Sequence, residues 1–209
     1  MHNGIVKIRI SEKGGIDVSV IKYIFNTVFR INKISEEDVK SIHIRDVMPI
    51  LYVISVATLL LLFMKYDSIR ESAFKVPMVA IACVFFVFFL VFDCLFNGAI
   101  LYIVGNSLKK PLKFRSCCKV VLARMIVGGI AVLVLAAVQV VAKLAGFFLS
   151  ETIIGIFSIV AAMYGWGVSL YFLNKFFGYE RKDLSVYGAV LFILWLIPTV
   201  GKYILSLIA

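Results

Sequence analysis

Residues 76 to 105 read VPMVAIACVFFVFFLVFDCLFNGAILYIVG, a thirty-residue run in which Asp93 is the one charged side chain. A stretch this long and this apolar matches the hydrocarbon core of a bilayer, roughly 30 Å thick, which a helix crosses in about 20 residues. The rest of the chain agrees with that solvent. Hydrophobic residues make up 62% of the 209, charged residues 16%, and the mean hydropathy is +1.02. A soluble domain is nearer half apolar and a quarter charged. The expected fold class is therefore an all-α membrane protein, a bundle of transmembrane helices behind a small polar leader.

Five spans are predicted, over 47–64, 76–104, 120–142, 152–173 and 184–208, making a five-helix domain over 47–209 after an amino-terminal segment, 1–46. The second is longer than the hydrocarbon requires, so it tilts or protrudes. The connections are short, which makes consecutive helices antiparallel neighbours. Lys and Arg are spread unevenly over those connections. Sixteen fall in 1–46, 105–119 and 174–183, whereas four fall in 65–75 and 143–151. The positive-inside bias then places the amino terminus in the cytoplasm and the carboxyl terminus outside. The formal net charge of +10 belongs to one membrane face, where anionic headgroups attract each basic residue by about 1 kcal/mol. Nucleic acid is not an expected partner. The densest group is a cytoplasmic basic patch of Lys109, Lys110, Lys113, Arg115 and Lys119, in a connection without any acid.

Segment 1–46 lacks the charged start and immediate apolar core of a cleavable secretory signal, so the first span is expected to act as its own insertion signal. GIVKIRI and IDVSV alternate apolar and polar residues around SEKGG, a hairpin pattern. Ile21, Ile24, Phe25, Val28 and Phe29 follow at helical spacing. They offer a surface for the hairpin to pack on, or an amphipathic helix over 21–33 lying on the headgroups. Ser35 with Asp38 three residues on is a helix-start cap.

An acid within hydrocarbon is costly and normally faces the bundle interior, pairs, or takes up a proton. Asn97 lies one turn beyond Asp93 on the same face, and Tyr164 in the fourth span comes to a similar depth. A Tyr164–Asp93 hydrogen bond is therefore expected. Arg124, about five residues inside the third span, is expected to snorkel to the headgroups, and Gln139 and Lys202 to anchor at the outer interface. The Asp93–Asn97 stripe reads either as polar glue between helices or as a proton or cation step in a transport path. Gly128, Gly129, Gly165 and Gly167 are read as sites of close helix packing, and Pro198 as a kink. Cys83, Cys94, Cys117 and Cys118 show neither metal-ligand spacing nor a disulfide framework. The adjacent pair Cys117 and Cys118 reads as small residues at a helix start. No HExxH, GxSxG or phosphate-binding glycine loop is present, so neither an enzyme nor a cofactor is expected.

Two longer stretches, NGAILYIVGNSLKKPLKFRSCCKVVLARM and MYGWGVSLYFLNKFFGYERKDLSVYGAVL, resemble the Yip (Ypt-interacting protein) family of small five-span membrane proteins. The resemblance covers residues 50 to 209. It rests on a span, small-residue turn and basic re-entry into the third span, then on an aromatic-rich fourth span with a short loop to the last. LARM lacks the family's proline, and the acidic, proline-rich leader of eukaryotic members is absent, so the chain is closer to a bacterial-type member. The resemblance implies a non-enzymatic integral membrane protein acting through protein or lipid partners. The expected function is that of an interaction or assembly partner in a bacterial cytoplasmic (inner) membrane, with Golgi or endoplasmic-reticulum membrane as the alternative. The bilayer, anionic headgroups and a protein partner, a second copy of the chain included, are the expected contacts. The alternative function is a small transporter or channel lined by Asp93 and Asn97.

Overall fold

The computed structural model describes residues 18–65, 75–147 and 149–193. Among them every regular element is helical: α1 (Val18–Phe29), a 3-10 turn (Ile31–Lys33), α2 (Glu36–Ser41), α3 (Ile44–Lys65), α4 (Lys75–Ser107), α5 (Phe114–Leu144), α6 (Glu151–Phe177) and α7, over 181–193. Ile44–Met64, Ile81–Ser107, Phe114–Leu144 and Thr152–Phe177 are long and apolar enough to cross a membrane. By that length and composition the chain is an integral membrane protein. The fifth expected span, 184–208, is helical as far as 193; the rest of it, with Pro198 and Lys202, lies outside the described residues.

The helices outrun the apolar stretches that define them. α3 starts at Ile44 and takes in Pro49, whose missing N–H falls in the second turn. α5 starts at Phe114, winding the basic stretch FRSCCK into its first turns. Ser150 opens α6 by accepting a hydrogen bond from the Ile153 N–H at 3.3 Å. Gly178 closes it with φ of 68°, the left-handed conformation that glycine enters without a Cβ penalty.

α5 is the central helix. Of its apolar window 28% is buried, against 17% for each of the other three spans, and it packs on α3, α4, α6 and α1. Large apolar side chains point outward, among them Phe85, Phe88 and Phe92 of α4 and Ile156, Phe157 and Val160 of α6. That arrangement suits lipid and not water. The core is gathered at the end of the bundle that carries the leader, where Leu101, Cys117, Val120, Ile126, Phe172 and Tyr179 are buried. From Ile130 to Tyr164, Ala136, Gln139 and Val140 are the buried residues among those described. Gln139 is thus no interfacial anchor; its Oε1 is buried without a hydrogen-bond partner.

Most of the expected hairpin falls in residues outside the described ones. Its last three, Val18–Val20, open α1 instead of ending a strand. The reason is the period of burial: Val20, Tyr23 and Thr27 lie on one helical face and are all buried. α2 carries the capping box read from Ser35, with Asp38 N–H donating to Ser35 Oγ at 3.1 Å and Ser35 N–H to Asp38 Oδ2 at 2.9 Å. Three acids in its first turn, Glu36, Glu37 and Asp38, suit the positive end of the helix dipole.

Of the four glycines assigned to packing, two make close approaches. A Cβ on Gly165 would come to 3.2 Å from Arg124 Cγ, and one on Gly129 to 3.4 Å from Ile54 Cγ2. Gly128 and Gly167 have nothing within 4 Å of that position, so packing does not account for them. The tightest sites are elsewhere, at Gly98 and Gly105.

Candidate functional site

Three of the five cations expected to form a free basic patch are engaged within the fold. Lys119 Nζ donates to the Val39 carbonyl and, at 3.0 Å, to that of Lys40. These are the last carbonyls of α2, where a helix dipole favours a cation. Arg115 Nη2 lies 2.6 Å from His43 Nδ1. Lys110 is held by the α6–α7 connection. Lys109 and Lys113 remain exposed. A cation outside the patch does similar work: Lys175 Nζ, lying over the Tyr171 and Phe176 rings, donates to the Asn32 and Ile34 carbonyls at 3.2 and 3.0 Å. The basic residues of α5 and α6 thus seat the leader on the bundle. Sequence spacing hides this, because the partners stand 72 to 143 residues apart.

Lys110 closes a second lock. Its Nζ reaches Asp183 Oδ2 at 2.8 Å, Glu180 Oε1 at 3.4 Å and the Gly178 carbonyl at 3.1 Å. Tyr179 Oη donates to the Lys110 carbonyl at 3.2 Å, and the Tyr179 carbonyl accepts from Asn174 Nδ2 at 2.8 Å. The hydrogen bond from Lys110, helped by the Glu180 N–H, holds the Asp183 carboxyl below its ordinary range, and Asp183 in turn holds Lys110 above its own. Asp183 therefore adds stability above the unfolded carboxyl value near 3.9, lost as pH falls through its lower folded value. Lys110 adds stability below about 10.4, lost as pH rises through its higher folded value. Asp183→Asn should lower the midpoint of thermal unfolding in detergent at neutral pH, and the gap from wild type should close below the carboxyl range. A gap independent of pH would assign Asp183 a packing role only.

Asp93 and Arg124 face a common space. A cavity of about 440 Å³ lies where α3, α4, α5 and α6 meet, lined by apolar groups such as Leu51, Phe89, Met125 and Trp166 and by both of these charges. Asn97 backs Asp93, donating to its Oδ1 at 2.6 Å and to its carbonyl at 3.0 Å. Asn97 itself is not part of the lining. Arg124, half-buried, sits ten residues into α5, roughly 15 Å along the axis from its start, with its stem against Gly165. No ion pair joins Asp93 to Arg124 among the described residues. Tyr164 does not join them, since its hydroxyl donates to the Val28 carbonyl at 2.8 Å from an exposed face of α6. The glycines read as packing sites serve the cavity: Gly128, Gly129 and Gly165 all line it. The sequence signal for Arg124 was its place in an apolar run, two turns from Asp93 in depth. No family model, curated protein or solved structure matches the chain.

Proposed function

We propose that this is a non-enzymatic membrane protein that binds a zwitterionic small molecule or lipid headgroup in the cavity between α3, α4, α5 and α6. The observation that carries the reading is the pair Asp93 and Arg124, opposite charges on one apolar cavity without an ion pair between them. Intramembrane charges of that kind mark ligand or ion sites by default. A ligand with an ammonium group for Asp93, a carboxylate or phosphate for Arg124, and an apolar body would satisfy every wall. The volume of about 440 Å³ is within the usual range for small-molecule sites. A transporter would use the same site as its loading point, with the leader end cytoplasmic in a bacterial inner membrane.

The test is retention of ligand in native mass spectrometry, after extraction in mild detergent and addition of phosphatidylethanolamine or a mixture of free amino acids. A charge-assisted contact contributes about 1.5–3 kcal/mol, so Asp93→Asn and Arg124→Gln should each weaken retention about tenfold or more. Equal retention by both variants would remove the cavity as the site. A second reading, an interaction or assembly role with a protein or anionic lipid, rests on the exposed Lys109 and Lys113. Co-purified protein or phosphatidylglycerol, insensitive to Asp93→Asn, would favour it. Flux in proteoliposomes that Asp93→Asn abolishes would separate a transporter from a binding protein.

A further inference from the structure

α1 carries polar residues on its buried face beside Val20 and Tyr23, and a large apolar stripe on its outer one. Thr27 and Asn26 are buried, the first with 0% and the second with 8% of its surface exposed, and Thr27 Oγ1 donates to the Tyr23 carbonyl at 2.8 Å. The outer face presents Ile21, Phe25 and Phe29, which stand 53%, 47% and 66% exposed at successive turns. A helix bathed in water would present a polar face there instead. The stripe is also deep. Tyr164, whose hydroxyl donates to the Val28 carbonyl, lies thirteen residues before the end of α6, roughly 20 Å along that helix. Lys175, two residues from the same end, holds the Asn32 and Ile34 carbonyls. Between those two levels the chain runs through the 3-10 turn Ile31–Lys33, which rises about 2 Å per residue, and the long Tyr164 and Lys175 side chains bridge the remainder of the roughly 16 Å between their backbones along α6.

We propose that α1 is a re-entrant element, sunk into the hydrocarbon against α5 and reaching α6 at Tyr164, with lipid acyl chains covering the Ile21–Phe25–Phe29 stripe. The stripe meets α6 at Tyr164, beside the outward-facing Val160 and Met163, so one lipid-facing surface runs across both helices. Lys22 and Arg30 flank it, and both have side chains long enough to carry their charge toward the headgroups. The Arg30 guanidinium lies 5.6 Å from the centroid of the Phe25 ring. After α1 the chain returns from the level of Tyr164 to that of Lys175 by Ile34, and the buried polar residues of α1 face the bundle because lipid offers them no partner.

Phe25→Trp in the full chain, reconstituted into phosphatidylcholine vesicles, tests this. Emission from Trp166 and Trp195 is removed by subtracting the wild-type signal. The added emission should be blue-shifted, lose intensity in vesicles brominated at mid-chain, and be unaffected by aqueous iodide. Quenching by iodide, or indifference to bromine, would overturn the proposal. Phe29→Trp supplies the same reading at the other end of the stripe if the first variant does not fold. Benzoylphenylalanine at position 25 decides the occupant: lipid adducts are expected, whereas adducts to a second copy or another protein would replace lipid with that partner.

Discussion

Gly105→Val should leave little folded protein. A Cβ at this position falls 2.7 Å from Tyr179 Oη and 3.1 Å from the Lys110 carbonyl. Neither neighbour can give way cheaply. Tyr179 is 1% exposed and its hydroxyl is tied to that same carbonyl, while the carbonyl belongs to a turn closed by Lys110 N–H donating to the Gly105 carbonyl at 2.9 Å. Overpacking costs typically about 1–3 kcal/mol, and the displaced hydroxyl forfeits about 1 kcal/mol more. Together these are a large share of the total stability of an ordinary domain. Gly167→Ala is the control, because no atom beyond the adjoining backbone of its own helix lies within 4 Å of its Cβ position; replacing a mid-helix glycine there should stabilise by up to about 1 kcal/mol. Thermal unfolding of the purified variants in detergent reads both. A Gly105→Val midpoint equal to wild type would mean that the α4–α5 connection does not sit on Tyr179.

Arg124→Leu should produce the opposite combination, a more stable protein that no longer binds. Arg124 faces a cavity inside the bundle and forms no ion pair among the described residues. An arginine costs about 2.5–3.5 kcal/mol at the centre of a transmembrane helix on insertion scales. Arg124 lies before the midpoint of α5 and is half-buried, which recovers part of that, so the leucine variant should gain about 1–3 kcal/mol. A charge retained at a cost to stability is a mark of function. If Arg124 were glue between α5 and α6, the same substitution would destabilise by about 1 kcal/mol. The direction of the shift in unfolding midpoint therefore separates the two roles without any knowledge of the ligand.

The transmembrane helices were legible because runs of about 20 apolar residues have few alternatives. Their ends were not. Phe114–Lys119 reads as a basic connection, yet it is helix, because tertiary partners for Arg115 and Lys119 compensate for placing charge there. Arg124 reads as a residue near a span end, yet it lines the cavity between four helices. Ser35 and Asp38 disclosed their cap, since a capping box is local and spans four residues. IDVSV misled for a related reason: alternation over five residues is compatible with strand or helix until a neighbour selects a face, and here Tyr23 and Thr27 extend the buried face of Val20 at helical spacing. Asp93 announced itself as a lone acid. Its relation to Arg124, and that of Tyr164 to Val28, depended on which helices meet, which no local pattern encodes.

The contacts that seat the leader also fix the order in which the chain can be built. Lys119, Tyr164 and Lys175 are synthesised 79 to 143 residues after the carbonyls they bind. When residues 18–43 leave the ribosome their dock does not yet exist, and it becomes complete only after the hairpin of α5 and α6 has entered the bilayer. Residues 18–43 can therefore settle only after segments translated up to 143 residues later have taken their places.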